Sequence, residues 1–115
     1  MPPTPAIPAA TRAAIEECWR CHAACMETVR HCLAGGGGPA TSARIVTLLD
    51  CADMCRTAAD TMSRGSPHFR VACAACAELC RAGAAECRAV PDDERMQACA
   101  EACDRCARSC GVMAG

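Results

Sequence analysis

Cysteine is the residue type in this sequence that is best placed to do chemistry, and its spacing is regular. Four cysteines near the N-terminus follow one another at steps of three, four and seven residues, and the same steps return 55 residues later. The two sets are Cys18, Cys21, Cys25 and Cys32, and Cys73, Cys76, Cys80 and Cys87. A helix turns about 100° per residue, so such steps return a side chain to nearly one face. Each set therefore predicts a helix with a single stripe of thiols.

The other six of the 14 cysteines also have helical spacing. They are Cys51 and Cys55, and Cys99, Cys103, Cys106 and Cys110. The 55-residue offset matches the first pair to the last two members of the second group, but Arg44 and Leu48 stand where the second group has its first two cysteines. The chain thus reads as an internal duplication, with fewer metal sites expected toward the end nearer Cys32 and Cys87.

Turn residues divide the sequence into four helices of similar length. Thr11, Thr41 or Ser42, and Ser66 are candidate N-caps, and Gly65 is a candidate helix-ending residue. The predicted helices run over about 11–33, from 41 or 42 to about 64, 67–89, and from the acidic turn at 91–94 to 111–114. Residues 1–10, with four prolines and no periodicity, predict a flexible lead-in to one domain at 11–115.

Short connections between four helices favour an all-α, antiparallel up-down-up-down four-helix bundle. The stripes must then face inward, because Leu, Ile, Val and aromatic residues are too few to fill the core. Pairing helix 1 with helix 2 and helix 3 with helix 4 places certain cysteines at the same level. The expected pairs are Cys25 with Cys51, Cys21 with Cys55, Cys80 with Cys106, and Cys76 with Cys110.

Overall charge and hydropathy argue against large partners. The formal net charge is −1, which favours neither nucleic acid nor an anionic membrane, and no apolar run is long enough to span a bilayer. No signal peptide is visible from Met1 to Thr11, so we expect a reducing cytoplasm, where free thiols persist. Paired carboxylates and a Ser/His/Asp set are not apparent, and the pattern does not predict an enzyme.

Soft thiolate ligands select Cu(I), Zn(II) or iron–sulfur clusters. Zinc and iron–sulfur clusters gather cysteines around one point, usually from loops, whereas Cu(I) accepts two or three sulfurs and suits pairs four residues apart on a helix. Many such pairs in a row favour Cu(I) storage. The alternatives are an iron–sulfur electron-transfer protein, a zinc or thiol buffer, cysteines acting as small buried hydrophobes, and disulfide links between helices.

Several residues beside the thiols are secondary candidates. Met62, His68, Phe69 and Met113 should gather at the end of the bundle near Cys18, where a thioether and an imidazole could pass Cu(I) inward. His22 and His31 lie beside the stripe and are expected to be surface or interface residues. An apolar line on helix 1 is expected to pack on a neighbouring helix or on another subunit. It comprises Ile15, Trp19, His22, Met26, Val29 and Leu33.

With a C-x-x-x-C pair on every helix, such as Cys21/Cys25 and Cys76/Cys80, the sequence resembles the bacterial copper storage proteins over about 11–113. The resemblance implies Cu(I) sequestration by the inward cysteines, a homo-oligomer that is a tetramer, and metal entry at one open end. Because no export signal is visible, the sequence looks like the cytosolic branch of the family, and a copper chaperone is a candidate donor. Bridging thiolates would give a capacity near one ion per cysteine, on the order of a dozen Cu(I) per chain.

Overall fold

The computed structural model describes residue 3, residues 5–36, residue 38 and residues 40–115. Over these residues the chain forms four helices and no strand: α1 (Ala9–Leu33), α2 (Ser42–Ser63), α3 (Phe69–Arg88) and α4 (Glu94–Ala114). Each helix packs on the helix before and after it, and α4 also packs on α1, so the four surround a common axis. The predicted all-α four-helix bundle is confirmed.

The first helix begins two residues earlier than predicted. Pro8 occupies the N-cap position, and its carbonyl accepts a hydrogen bond from the Arg12 amide at 2.9 Å. Thr11 lies inside the first turn and is not the cap. A proline before the first turn suits a helix start because its fixed φ and missing N–H cost nothing there. The predicted flexible lead-in stays a prediction, and Met1, Pro2 and Thr4 lie outside the described residues.

Two helices end at glycines that adopt a left-handed conformation. Gly35 after α1 has φ of 93° and Gly65 after α2 has φ of 67°. In each case the next residue donates a backbone hydrogen bond into the last turn, from Gly36 to the His31 carbonyl and from Ser66 to the Thr61 carbonyl. This is a Schellman motif, which requires a residue that tolerates positive φ. The prediction for Gly65 is confirmed.

The start of α3 corrects one prediction. Ser66 is not the N-cap. Its hydroxyl accepts a hydrogen bond from the His68 amide at 3.1 Å, and this bond closes a tight turn that contains Pro67. His68 is the N-cap, and the helix begins at Phe69. The start of α4 agrees with the sequence, because Asp93 accepts a hydrogen bond from the Met96 amide at 2.9 Å. A carboxylate there also complements the helix dipole.

Cysteine and alanine fill the core. All 14 cysteines are buried, together with many alanines, and Leu48 and Met96 are the largest fully buried side chains. Because these side chains are small, the four helices can approach closely, and the space along the bundle axis is filled mainly by cysteine sulfurs. None of the helices in the described part of the chain is long and apolar enough to cross a membrane.

The N-cap of α2 can be tested directly. Thr41 accepts a hydrogen bond from the Arg44 amide through its hydroxyl at 3.1 Å. We expect Thr41→Ala to lower the free energy of unfolding of the metal-free protein by about 1 kcal/mol, because one amide at the helix start loses its acceptor. Urea unfolding followed by circular dichroism measures the change. Thr41→Ser is the control and should behave like the wild type; equal stability of all three proteins would contradict the assignment.

Candidate metal centre

Every thiol in the chain is free and points into the bundle. None of the 14 cysteines is in a disulfide, and each is at most 2% exposed. The inward stripes predicted from the helical spacing are therefore confirmed. Across the interface of α1 and α4, the Sγ atoms of Cys18 and Cys110 are 3.5 Å apart, and those of Cys21 and Cys103 are 3.7 Å apart.

The sulfurs form three groups of four, in each of which all four atoms lie within 4.8 Å of one another. The first group takes its thiols from α1, α3 and α4, the second takes one from each helix, and the third takes its thiols from α1, α2 and α4. In order, the groups are Cys18, Cys76, Cys106 and Cys110; Cys21, Cys55, Cys80 and Cys106; and Cys21, Cys25, Cys51 and Cys103. The four pairs predicted to lie level all occur within these groups.

Neighbouring groups share a sulfur. Cys106 belongs to the first and second groups, and Cys21 belongs to the second and third. Cys106 lies 3.8 Å from Cys18 and 3.9 Å from Cys55, which belong to different groups. The groups therefore form one continuous row along the axis rather than three isolated sites.

The groups of four also meet one requirement of a zinc site. The four ligands of a zinc site usually come from loops rather than from a continuous stripe, yet this bundle brings four sulfurs together three times by combining thiols of different helices. A single group of four thiols could hold a tetrahedral ion. The shared sulfurs favour Cu(I) instead, because bridging thiolates let two- and three-coordinate ions occupy adjacent positions, whereas a closed tetrahedral site uses its four ligands for one ion.

Burial and mutual hydrogen bonding shift the thiol pKa values in two directions. Hydrogen bonding to Cys103 and burial raise the pKa of the Cys25 thiol, and contacts with Cys106 together with burial raise that of Cys55. Hydrogen bonds donated by Cys103 and other neighbours instead lower the pKa of Cys51. A cluster of thiols cannot ionise together without a cation, since each charge opposes the next. Most of the thiols are therefore protonated in the metal-free protein at neutral pH.

Four cysteines lie outside the three groups. They are Cys32, Cys73, Cys87 and Cys99. The Cys110 thiol of the first group lowers the pKa of Cys73, which places Cys73 beside that group, and Cys99 lies 4.0 Å from Cys25 of the third group. The end that carries Cys32 and Cys87 thus has no four-thiol group among the described residues, in agreement with the expectation from Arg44 and Leu48.

The substituted positions on α2 are buried. Leu48 is completely buried, and Arg44, which is 9% exposed, places its Nε 3.5 Å from Glu86 on α3. Where the second half of the duplication has thiols, the first half therefore has an aliphatic side chain and a charged one at this end.

At the end of the bundle near Cys18, three of the four residues that were expected to gather there line the same cavity. Met62, Phe69 and Met113 line one cavity of about 640 Å³, which Ile7 and Pro8 of the N-terminal segment also line. His68 does not line this cavity. Together with Met54 and Val71 it lines a separate depression, and the turn at Ser66 places it at the N-cap of α3.

The side chains of the two other histidines interact with groups of the same chain. His22 donates a hydrogen bond through Nδ1 to the Ala52 carbonyl at 2.8 Å, and its ring meets Trp19 edge-on. His31 pairs with Asp93 at 2.8 Å. Neither belongs to a sulfur group. Of the apolar line on α1, Val29 is buried, whereas Trp19 and Met26 are each 42% exposed.

Sequence reasoning missed two features of the site. Gly83 lies on α3 where a Cβ would sit 3.4 Å from Cys103 Sγ and 3.5 Å from Cys51 Sγ, so its missing side chain makes room beside the third group. Met96 is fully buried with its sulfur 3.8 Å from Cys32. A glycine inside a helical pattern was a signal for the first, since it lowers helix propensity without an evident benefit.

Comparison with known proteins identifies the family. The family described as copper storage protein matches residues 8–115 of this chain. The chain belongs to the copper storage protein family. A cysteine-rich protein of Bacillus subtilis, YhjQ, described as uncharacterized, is 38% identical over 104 residues, which are 90% of this chain and 95% of that protein.

Solved structures of other family members have the same fold. The Cu(I)-bound copper storage protein BsCsp3 of Bacillus subtilis is 36% identical, with a TM-score of 0.84 over 92% of this chain and 99% of that one. A cytosolic copper storage protein of Streptomyces lividans, solved with five coppers, is 33% identical, with a TM-score of 0.79 over 91% of this chain and 92% of that one. Both are similar to this chain over nearly their whole length.

Gly83 provides a test of the space beside the sulfurs. We expect Gly83→Ala to stabilise the metal-free protein by up to about 1 kcal/mol, because alanine is the better helix former and its Cβ would make ordinary contacts. The same methyl should weaken Cu(I) uptake, since it restricts movement of Cys51 and Cys103 toward an ion. Thermal unfolding and competition with a Cu(I) chelator measure the two effects.

Gly111 on α4 is the matched control for this substitution, because a Cβ there would meet nothing within 4 Å. Gly111→Ala should share any gain in helix stability but leave copper uptake as in the wild type. If Gly83→Ala takes up copper like Gly111→Ala, the space beside the third group is not needed for binding.

Proposed function

We propose that this protein stores Cu(I), with the thiolates of its inward cysteines as ligands. The observation that supports this most strongly is the row of three four-thiol groups that share Cys106 and Cys21. A storage protein needs many similar sites in a small volume, and bridging sulfurs supply them with few residues per ion. The family match and the copper-loaded relatives support the same role.

The proposed ligands are all 14 cysteines, in two classes. Ten lie in the groups of four and would hold bridged ions, and the other four would extend the row toward its two ends. Storage rather than catalysis is the proposed role, in keeping with the description of the family. An iron–sulfur or zinc function has no support from the relatives, and the shared sulfurs favour many Cu(I) ions over one closed centre.

Copper would enter at the end where Met62 and Met113 line the cavity. Thioethers bind Cu(I) without losing a proton, so they can hold an incoming ion briefly and release it to the thiols of the first group. His68 lies outside this cavity and would at most attract copper to the neighbouring surface. The donor we propose is a copper chaperone of the cytoplasm, consistent with the cytosolic relative from Streptomyces.

Self-association would cover the apolar surface of the bundle. Trp19 and Met26 on α1 and Leu49 on α2 are all at least 36% exposed, and these are side chains that are normally buried. A homo-oligomer, which we propose to be a tetramer, would bury them.

An anaerobic Cu(I) titration of the reduced protein against a chromophoric chelator tests the main proposal. We expect tight uptake of about ten or more ions per chain, since most thiolates would bridge. The same titration with Zn(II) is the comparison and should saturate at a few ions. Saturation with Cu(I) at one or two ions would contradict storage and indicate a discrete centre.

Proton release provides a second test with a definite sign. Most thiols here have raised pKa values and hold their protons in the metal-free protein, so each thiolate formed by copper must release one. Apparent Cu(I) affinity should therefore fall as the pH falls, by about tenfold per pH unit for each proton released per ion. Loading in weakly buffered solution with pH-stat titration measures the release directly. An affinity that does not change with pH would show that thiols are not the ligands.

The entry proposal predicts a kinetic effect. Replacing Met62 and Met113 by leucine keeps side-chain size but removes both thioethers, and it should slow copper loading several-fold. Stopped-flow transfer of Cu(I) from a coloured donor complex measures the rate. The control is Met26→Leu, which removes a thioether that does not line the cavity and should load like the wild type. Equal rates for all three proteins would place entry elsewhere.

A further inference from the structure

The duplication leaves one thiol at the far end of the bundle without its expected partner. In the second half, the neighbouring Cys99 thiol and burial raise the pKa of the Cys87 thiol, so the two thiols lie close to each other. The equivalent positions in the first half are Cys32 and Arg44, so a guanidinium replaces the second thiol. Arg44 cannot bind a cation. If the end of the bundle near Cys32 holds copper, the second ligand must come from another helix.

That second donor is present on α4. Met96 is fully buried, and its sulfur accepts the Cys32 S–H at 3.8 Å. Cys32 itself is 2% exposed. Thioether sulfur is a soft ligand that selects Cu(I) among biological metals. A thiol and a thioether thus face each other in a dry setting, where one soft cation could bridge them.

The two donors are held in place by their own neighbours. Asp93 accepts a hydrogen bond from the Met96 amide through Oδ1 at 2.9 Å and pairs through Oδ2 with His31 at 2.8 Å. His31 directly precedes Cys32 on α1. This connection fixes the end of α1 against the start of α4, so the Cys32 and Met96 sulfurs face each other because the helix ends are linked.

The charge near the pair suits a mixed site. Burial raises the pKa of the Cys32 thiol, and the charges of Asp93 and Cys99 act in the same direction, while the Arg44 guanidinium offsets part of this rise. Binding of Cu(I) would release one proton from Cys32 and none from Met96, so the bound site would be neutral. A neutral site is cheaper to bury than one with two thiolates and a single Cu(I), which carries a net negative charge.

We propose that Cys32 and Met96 form a Cu(I) site of one thiolate and one thioether at the end of the bundle opposite the cavity of Met62 and Met113. The inference rests on the proposed function and adds a ligand of a different kind, a buried thioether, to the cysteine set. In the alternative interpretation, Met96 only fills the core beside a thiol, as methionine often does.

Native mass spectrometry of the protein loaded with excess Cu(I) tests the site, because it counts bound ions one at a time. Met96→Leu should bind one ion fewer per chain than the wild type, and Cys32→Ser should lose the same ion. The double variant should lose no more than either single variant, since both donors serve one site. Met26→Leu is the control and should keep the full count. Helicity and thermal unfolding of each metal-free variant check that it folds.

A second readout follows the thioether itself. In protein labelled with ¹³C at the methionine methyl groups, the Met96 resonance, identified by its absence in Met96→Leu, should shift on full copper loading. The Met26 resonance should stay in place. A full copper count in Met96→Leu, or a Met96 resonance that does not move, would overturn the proposal. If the wild type itself takes up only one or two ions, the proposed storage function fails, and this site fails with it.

Discussion

The burial of many thiols along one axis is the constraint on which the rest of this structure depends. A buried thiol adds little volume and a weak donor, so a core built from cysteine and alanine packs four helices without large side chains. The same core is poor in the apolar surface that normally stabilises a domain of this size. Helix caps, Schellman motifs and ion pairs at the helix ends therefore have a larger part in defining the metal-free fold than they would in a leucine-rich bundle.

Proton chemistry follows from this burial. Thiols that hydrogen-bond to one another share protons, and burial opposes the charge that a free thiolate would carry. A monovalent soft cation that replaces a proton neutralises the thiolate charge, so the thiolate can form without leaving an uncompensated charge in the core. The metal-free core therefore holds mostly protonated thiols, and a bound soft cation would take the place of their protons.

The four-helix architecture could be predicted from the sequence because the spacing of the cysteines is itself a helical periodicity. Steps of three, four and seven residues placed the stripes, and the 55-residue offset placed the pairs that lie level. The groups of four could not be read this way, because they depend on how far each helix is rotated toward the axis and which sulfurs meet across it. The sequence could not show that His68 lies outside the cavity of Met62 and Met113, because the turn that the Ser66 hydroxyl closes shifts the start of α3. Met96 lies three residues before Cys99 and so continues the cysteine stripe of α4, but a methionine on an inward face predicts only packing, and its contact with Cys32 is what indicates a further role.

The shared sulfurs also determine how the protein responds to oxidative damage. Cys21 and Cys106 each belong to two groups, whereas Cys25 and Cys110 each belong to one. Oxidation of a thiol to sulfinic acid removes a soft donor irreversibly. Damage at Cys25 would affect one group, but damage at Cys21 or Cys106 would remove a ligand from two groups and interrupt the row. The continuity that lets a few residues serve many ions thus concentrates chemical vulnerability in two side chains, both of which are fully buried.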